Sequence, residues 1–418
     1  MTIRGRMIVA GAAALAGAGL MAGALQAQRS TPPKARYEMD VATTSGFAGM
    51  AGMRANPMAM MFGGGRGGGS AQHSLDLRLG SSLAPSGGAP HADHFMPAGA
   101  ELGDSVPLVT PVNAPAEPSE PGMPPDFRRP KGRMLIFWGC GAHAGPGQPV
   151  VIDFSKLAAG QTPPRLFSAD VPVETGPTDS NSRTFGEWPN DRSHKALRPD
   201  ASLIGTHRIA GNYSPEIAFT LDQNFMPALD AVSEAAPDGS TPIRWNAVQG
   251  ATGYYASLVG AQGQGGENAD MVMWTSAARQ EFGGGLSGYL SPATVRRLIA
   301  EHVIMPPSQT SCTVPAEVKK AAGQFMMATL TAFGPERDFA HPPRPADPKA
   351  VWHPDWTTRV RYRSATSLML GMPAMEGMGM AGMSGDDEED ARRPDRQEPP
   401  KHKCKGLGGF LKSQIGGC

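Results

Sequence analysis

Apolar residues recur at every second position along several short stretches of this chain, the period of a strand with one buried face. The clearest stretch is TPIRWNAVQGATGYYASLVGAQ at 241–262. Ile243, Trp245 and Ala247 fall on one face while Arg244 and Asn246 fall on the other. Gln249 to Gly253 supplies turn residues, after which Tyr254, Ala256 and Leu258 alternate with Tyr255, Ser257 and Val259. The pattern predicts two strands, the second folding back from the first. Earlier in the chain, Leu75, Leu77 and Leu79 alternate with Asp76 and Arg78 and predict one strand that adds to an edge of the fold. MLIFW at 134–138 is a continuous apolar run of the kind found in fully buried strands, and VVIDF at 150–154 follows it across a glycine-punctuated loop.

Further strands are predicted at Leu203 to Ile209, Ile217 to Leu221, Met271 to Trp274 and Phe325 to Phe333. One helix interrupts them. Ser291 is placed to cap it and Pro292 fits its first position, with Val295, Leu298, Ile299 and either His302 or Val303 on one face.

A Trp in one strand, a V-x-G-A-T-G-Y turn and a Tyr opening the next strand resemble the B and C strands of fibronectin type III and related immunoglobulin-like sandwiches. A second echo lies at 325–334, where FMMATLTAF is followed by Gly334. The resemblance implies a core position between two sheets for Trp245, with Tyr254 packed close to it, and it assigns both a structural role. A helix of three turns is outside the family's usual layout, so an elaborated sandwich is implied. The fold class expected is all-β: two tandem β-sandwich domains with a short inserted helix, flanked by long disordered Met/Gly/Pro-rich segments.

Composition sets the expected boundaries. Of 418 residues, 53 are Gly and 40 are Pro, concentrated toward the ends, where too few apolar residues remain to offset the entropy of ordering. The domains expected are a signal peptide at 1–27, a low-complexity leader at 28–130, a β-rich domain at 131–235, the fibronectin type III-like domain at 236–365 and a disordered tail at 366–418. The hinge is expected at Pro237-Asp238-Gly239, and long loops over 160–200. A net charge of +0 supplies no general attraction to nucleic acid.

Arg4 and Arg6 precede an apolar run from Met7 to Leu25, and Ala27 offers a small residue at a cleavage edge. This predicts export to the periplasm or cell envelope; the alternative is an uncleaved N-terminal membrane anchor. In an oxidising compartment the four cysteines, Cys140, Cys312, Cys404 and Cys418, allow two disulfides, and Cys140 with Cys312 and Cys404 with Cys418 is the simplest pairing.

Three constellations offer chemistry. Cys140 and His143 form a C-x-x-H suited to a metal or to a nucleophile and base, with His194 and His207 as candidate further ligands; the plainer reading is a disulfide cysteine beside a loop histidine. Met372, Met375, Met378, Met380 and Met383, with a matching set from Met50 to Met61, present soft thioethers suited to copper, and His91 and His94 beside Asp93 and Met96 offer a harder site. The plainer reading is biased filler. The ring from Cys404 to Cys418 presents Leu407, Phe410, Leu411 and Ile415 with lysines, a patch for a partner or an anionic membrane.

No phosphate-binding loop, zinc-protease helix, nucleophile elbow or calcium loop occurs. The function expected is therefore a non-catalytic binding or structural module of the cell envelope, with an envelope protein or polymer as partner. A periplasmic copper-binding protein is the alternative, and an accessory to an envelope-polymer hydrolase the third reading.

Overall fold

Among the described residues, strand-period alternation places sixteen strands in sheets, over more of the chain than 131–365. A computed structural model describes residues 30–46, 71–111, 132–158, 171–262, 270–323, 325–347 and 349–371. In chain order the strands are β1 (Ala35–Ser45), β2 (Gln72–Ser81), β3 (Ala92–Phe95), β4 (Ser105–Leu108), β5 (Arg133–Trp138), β6 (Val150–Asp153), β7 (Thr184–Trp188) and β8 (Gly205–Gly211). They continue with β9 (Ile217–Leu221), β10 (Ala231–Ser233), β11 (Thr241–Trp245), β12 (Gly253–Gln262), β13 (Asp270–Thr275), β14 (Ser311–Val314), β15 (Phe325–His341) and β16 (Trp356–Leu370). The helices among the described residues are α1 (Phe154–Ala158), α2 (Pro292–Ala300) and α3 (Ala316–Ala322). The class is all-β.

A nine-stranded sheet in the order β6-β5-β13-β12-β15-β16-β1-β2-β7 is the main layer. Against it lie a four-stranded sheet, β4-β3-β8-β9, and a three-stranded one, β10-β11-β14. Neighbours in the large sheet are antiparallel except for β1 with β16 and β5 with β13, which are parallel. One continuous apolar core fills the space between the layers, from Met39, Leu77 and Val360 to Ile209, Leu229 and Trp245.

The strands do not follow the expected domain boundaries. The predicted leader, 28–130, contains β1 to β4, and β1 sits inside the large sheet between β16 and β2. Its sequence, ARYEMDVATTS, alternates as a strand should, but Glu38 and Asp40 occupy its polar positions and lower its overall hydrophobicity. The boundary at 235–236 likewise falls within the fold, because the large sheet takes strands from both sides of it. The expected loop region 160–200 includes β7, and β16 continues to Leu370, past the expected end at 365.

The 241–262 stretch differs from a hairpin. β11 pairs with β10 and β14, whereas β12 pairs with β13 and β15, so the turn carries the chain from one layer to the other. Trp245 and Tyr254 meet across the layers with ring centroids 5.5 Å apart. The Tyr254 hydroxyl accepts the Val248 N–H at 2.9 Å and holds the turn down. Helix α2 starts where its sequence predicts: Ser291 Oγ accepts the Thr294 N–H at 3.3 Å, Pro292 occupies the first position, and Val295 and Leu298 are fully buried.

A polar thread runs through the apolar core. The Leu203 carbonyl can only accept, so His207 Nε2 donates to it at 2.7 Å, and in a neutral ring His207 Nδ1 accepts from His94 Nε2 at 3.0 Å. His94 Nδ1 in turn accepts the Tyr37 hydroxyl at 2.7 Å. Burial favours this neutral arrangement by lowering the pKa of each imidazole, helped at His94 by the neighbouring His207.

Because the folded state resists protonation here while the unfolded chain protonates at its ordinary value, stability falls as pH drops below about 6.5, by about 1.4 kcal/mol per pH unit for each histidine. Urea unfolding should show this acid-side loss between pH 7.5 and 5. The double variant His94→Leu/His207→Leu should be less stable at pH 8, where Tyr37 and Leu203 lose partners, and should show a shallower acid slope.

Candidate functional site

The face of the large sheet turned away from the core carries charge in an alternating array. On β1, Tyr37, Met39 and Val41 point into the core, so Glu38 and Asp40 point the other way. On β16 the same alternation sends Val360 and Tyr362 inward and Arg359, Arg361 and Arg363 outward. Register places Glu38 opposite Arg359 and Arg78, and Asp40 opposite Arg361 and Asp76.

β15 joins the array through a bulge at Gly334-Pro335. Phe333 stands opposite Arg363, but Glu336 rather than Pro335 stands opposite Arg361. The extra residue restores the alternation needed to bring Glu336 and Asp338 onto the charged face and Phe339 onto the core. Phe339 there stacks against Phe219 at 5.0 Å.

The central members are deeply buried: side-chain exposure is 2% for Glu38, 4% for Asp40 and 6% for Arg361. Arg361 donates Nε to Asp40 Oδ1 at 2.6 Å and Nη2 to both Asp40 Oδ2 at 2.7 Å and Glu38 Oε1 at 2.9 Å. Arg78 bonds Glu38 Oε1 at 2.8 Å and also Asp40. Arg359 donates Nε to Glu38 Oε2 at 2.9 Å. Burial alone would lower the pKa of Arg361, but the hydrogen bond and charge of Asp40, with the charge of Glu38, outweigh it and hold the pKa above its ordinary value.

A covering segment seals the array. Glu174 Oε1 accepts the Ser291 N–H and the Thr294 hydroxyl, both at 3.0 Å, while its backbone carbonyl accepts Arg361 Nη1 at 3.1 Å. Gly176 lies so close to the Glu38 carboxylate that a Cβ could not be added. Tyr289 covers the guanidinium groups of Arg361 and Arg363 at 4.9 and 4.6 Å. Glu336 is the member left over: its Oε2 is buried without a hydrogen bond, and burial, with Asp338 adding, raises its pKa to about 7.

Chemically, the array neutralises itself. Each central carboxylate is engaged by guanidinium groups, and among the described residues no three His, Cys, Asp or Glu side chains converge to hold a metal. At its margin a cleft of about 830 Å³ opens between Thr175-Gly176-Pro177 and Pro343, Arg344 and Trp352. Arg36, Asp338, Arg344, Trp352, Thr357 and Arg359 line it.

The sequence-level candidates lie elsewhere. Cys140 and Cys312 are joined as a disulfide, so Cys140 has no thiolate to offer a metal or a substrate. His143 turns to Glu317, 3.2 Å away, on the solvent side, and Glu317 also accepts the Ala144 N–H at 2.9 Å. The C-x-x-H site is thereby corrected to a disulfide and a loop contact. His207 belongs to the buried thread, and His194 is exposed and apart from it. His94 spends both ring nitrogens on Tyr37 and His207, which removes it from a site with His91. Met50 to Met61, Met372, Met375, Met378, Met380 and Met383, Cys404, Cys418 and the 1–27 segment lie outside the described residues.

Sequence reading missed Glu38, Asp40, Arg359 and Arg361. The signal was present in opposite charges at the polar positions of two strand-period segments, YEMDV and RVRYR. No protein-family model matches the chain, and no curated protein matches it either.

Removing one member of a buried, hydrogen-bonded charge cluster strands the others. Arg361→Met should lower unfolding stability by about 3–5 kcal/mol, read from the urea midpoint at pH 7. Glu336→Gln should act in the opposite sense. The raised pKa means the folded state binds a proton more tightly than the unfolded one, so wild-type stability is lost as pH rises from about 4.5 through about 7. The variant should exceed wild type by roughly 1 kcal/mol at pH 8, allowing for partial solvent exposure, and match it near pH 4.

Proposed function

We propose that the chain is an exported component of the periplasm or cell envelope that works by binding rather than by catalysis. The observation that carries this reading is the Cys140–Cys312 disulfide, which joins residues 172 positions apart, in the loop after β5 and in β14. Disulfides of this structural kind persist in oxidising compartments. The basic, then apolar, N-terminal 27 residues agree with export, and the V-x-G-A-T-G-Y resemblance agrees with a fibronectin type III-like sandwich that serves as a docking frame.

The central groups of the charged array, Glu38, Asp40, Arg359 and Arg361, are engaged with one another, which supports a binding rather than a catalytic role for them. Sheet edges and the cleft beside the array are the surfaces offered to a partner, an envelope protein or polymer. A copper role would rest on the Met tracts alone, since Cys140 is committed to the disulfide.

Expression from the native start in a bacterial host tests this reading. Osmotic shock should release the protein shortened at the 27–28 bond, and mass measurement after thiol alkylation should show Cys140 and Cys312 unmodified until reductant is added. Deleting 1–27 should retain the chain in the cytoplasm with both thiols alkylated and its stability lowered by about 2–5 kcal/mol. Recovery of uncleaved, cytoplasmic, fully alkylated wild type would refute export.

A further inference from the structure

The cleft beside the charged array combines three kinds of group. The first is a flat platform: Arg344 lies over the Trp352 ring, its Cζ 4.7 Å from the centroid, and Trp352 Nε1 donates to the Pro342 carbonyl at 3.0 Å, which fixes the ring. The second is cationic. Arg36 donates to the Asn181 carbonyl and Oδ1 at 3.0 and 2.7 Å, and neither it nor Arg344 pairs with a carboxylate among the described residues. The third is an acceptor: the Asp338 carboxylate, in the same cleft, accepts no hydrogen bond among the described residues. The hydroxyls of Thr175 and Thr357 line the cleft with them.

Each group narrows the ligand. Guanidinium groups without carboxylate partners call for an anion and suit a carboxylate in particular, by two parallel hydrogen bonds. A carboxylate kept in the same cleft repels a simple anion but accepts hydroxyl protons. An aromatic platform with a polar rim takes a ring that is apolar on its face and polar at its edge. The chemistry that meets all three demands is a hydroxylated ring bearing a carboxylate.

We propose that this cleft binds an acidic polysaccharide built of uronic-acid sugars, with the Arg344 guanidinium, stacked on Trp352, under the ring, Arg36 on its carboxylate, and Asp338 accepting from its hydroxyls. An open, polar cleft suits a hydrated polymer that passes through it rather than an enclosed small molecule. The proposal deepens the binding role given above and rests on that reading only for its biological setting.

The test is affinity electrophoresis of the purified full chain in gels containing polygalacturonate, with dextran, methyl-esterified polygalacturonate and polyglutamate as comparisons. Retardation by polygalacturonate alone is expected. Binding should weaken at least tenfold in Arg344→Ala and in Asp338→Ala, both exposed positions, with the urea midpoint of neither variant lowered. No retardation of wild type would overturn the proposal. Equal retardation by polyglutamate would reduce the cleft to a charge patch, and tighter binding by Asp338→Ala would make it a simple anion site; either result also overturns it. Because the assay uses purified protein, a negative outcome leaves the export measurements untouched.

Discussion

The pairing of β1 with β16 is the constraint on which the other features depend. It sets the first and last described strands side by side, in parallel, over eleven residue pairs from Ala35–Trp356 to Ser45–Thr366. A slip of one residue would turn every side chain of one strand to the opposite face, exposing Met39 and Val41 and driving Glu38 and Asp40 into the apolar core. Arg361 guards against this, because its guanidinium can reach both carboxylates only in the observed register. The charged array thus specifies which strand lies where, while the apolar core supplies most of the stability.

How much was legible in the sequence follows from which signal each element carried. The 241–262 strands, the Ser291-capped helix and the MLIFW strand announced themselves through period, turn residues and apolar content. β1 did not, because its polar positions hold charges and its neighbours in sequence are rich in Gly and Met. Its partner β16 reads as RVRYR, a pattern that looks solvent-facing until an opposing acidic strand is known. Pairing between segments so distant leaves no local trace, and the same distance hid the site: Glu38 and Arg359 are 321 residues apart. The cleft was equally invisible, since Arg36, Asp338 and Trp352 come from three separate segments.

The 241–262 stretch shows how a correct local reading can still miss topology. Strand, turn and strand are all present, and alternation fixed the buried faces. Whether a short turn joins neighbours in one sheet or spans two sheets depends on what else each strand can pair with. β10 and β14 claim β11, and β13 and β15 claim β12. With both edges of each strand occupied, the chain crosses the core, and Trp245 and Tyr254 meet as a contact between layers.

The closure of β1 onto β16 also orders events in time. A chain emerging from the ribosome presents residues 35–45 long before the strand that completes their sheet exists, and until then Glu38 and Asp40 lack two of their three arginines. The nascent molecule therefore cannot lock its central sheet early. The final register of the sheet is thus set by the residues made last rather than by those made first.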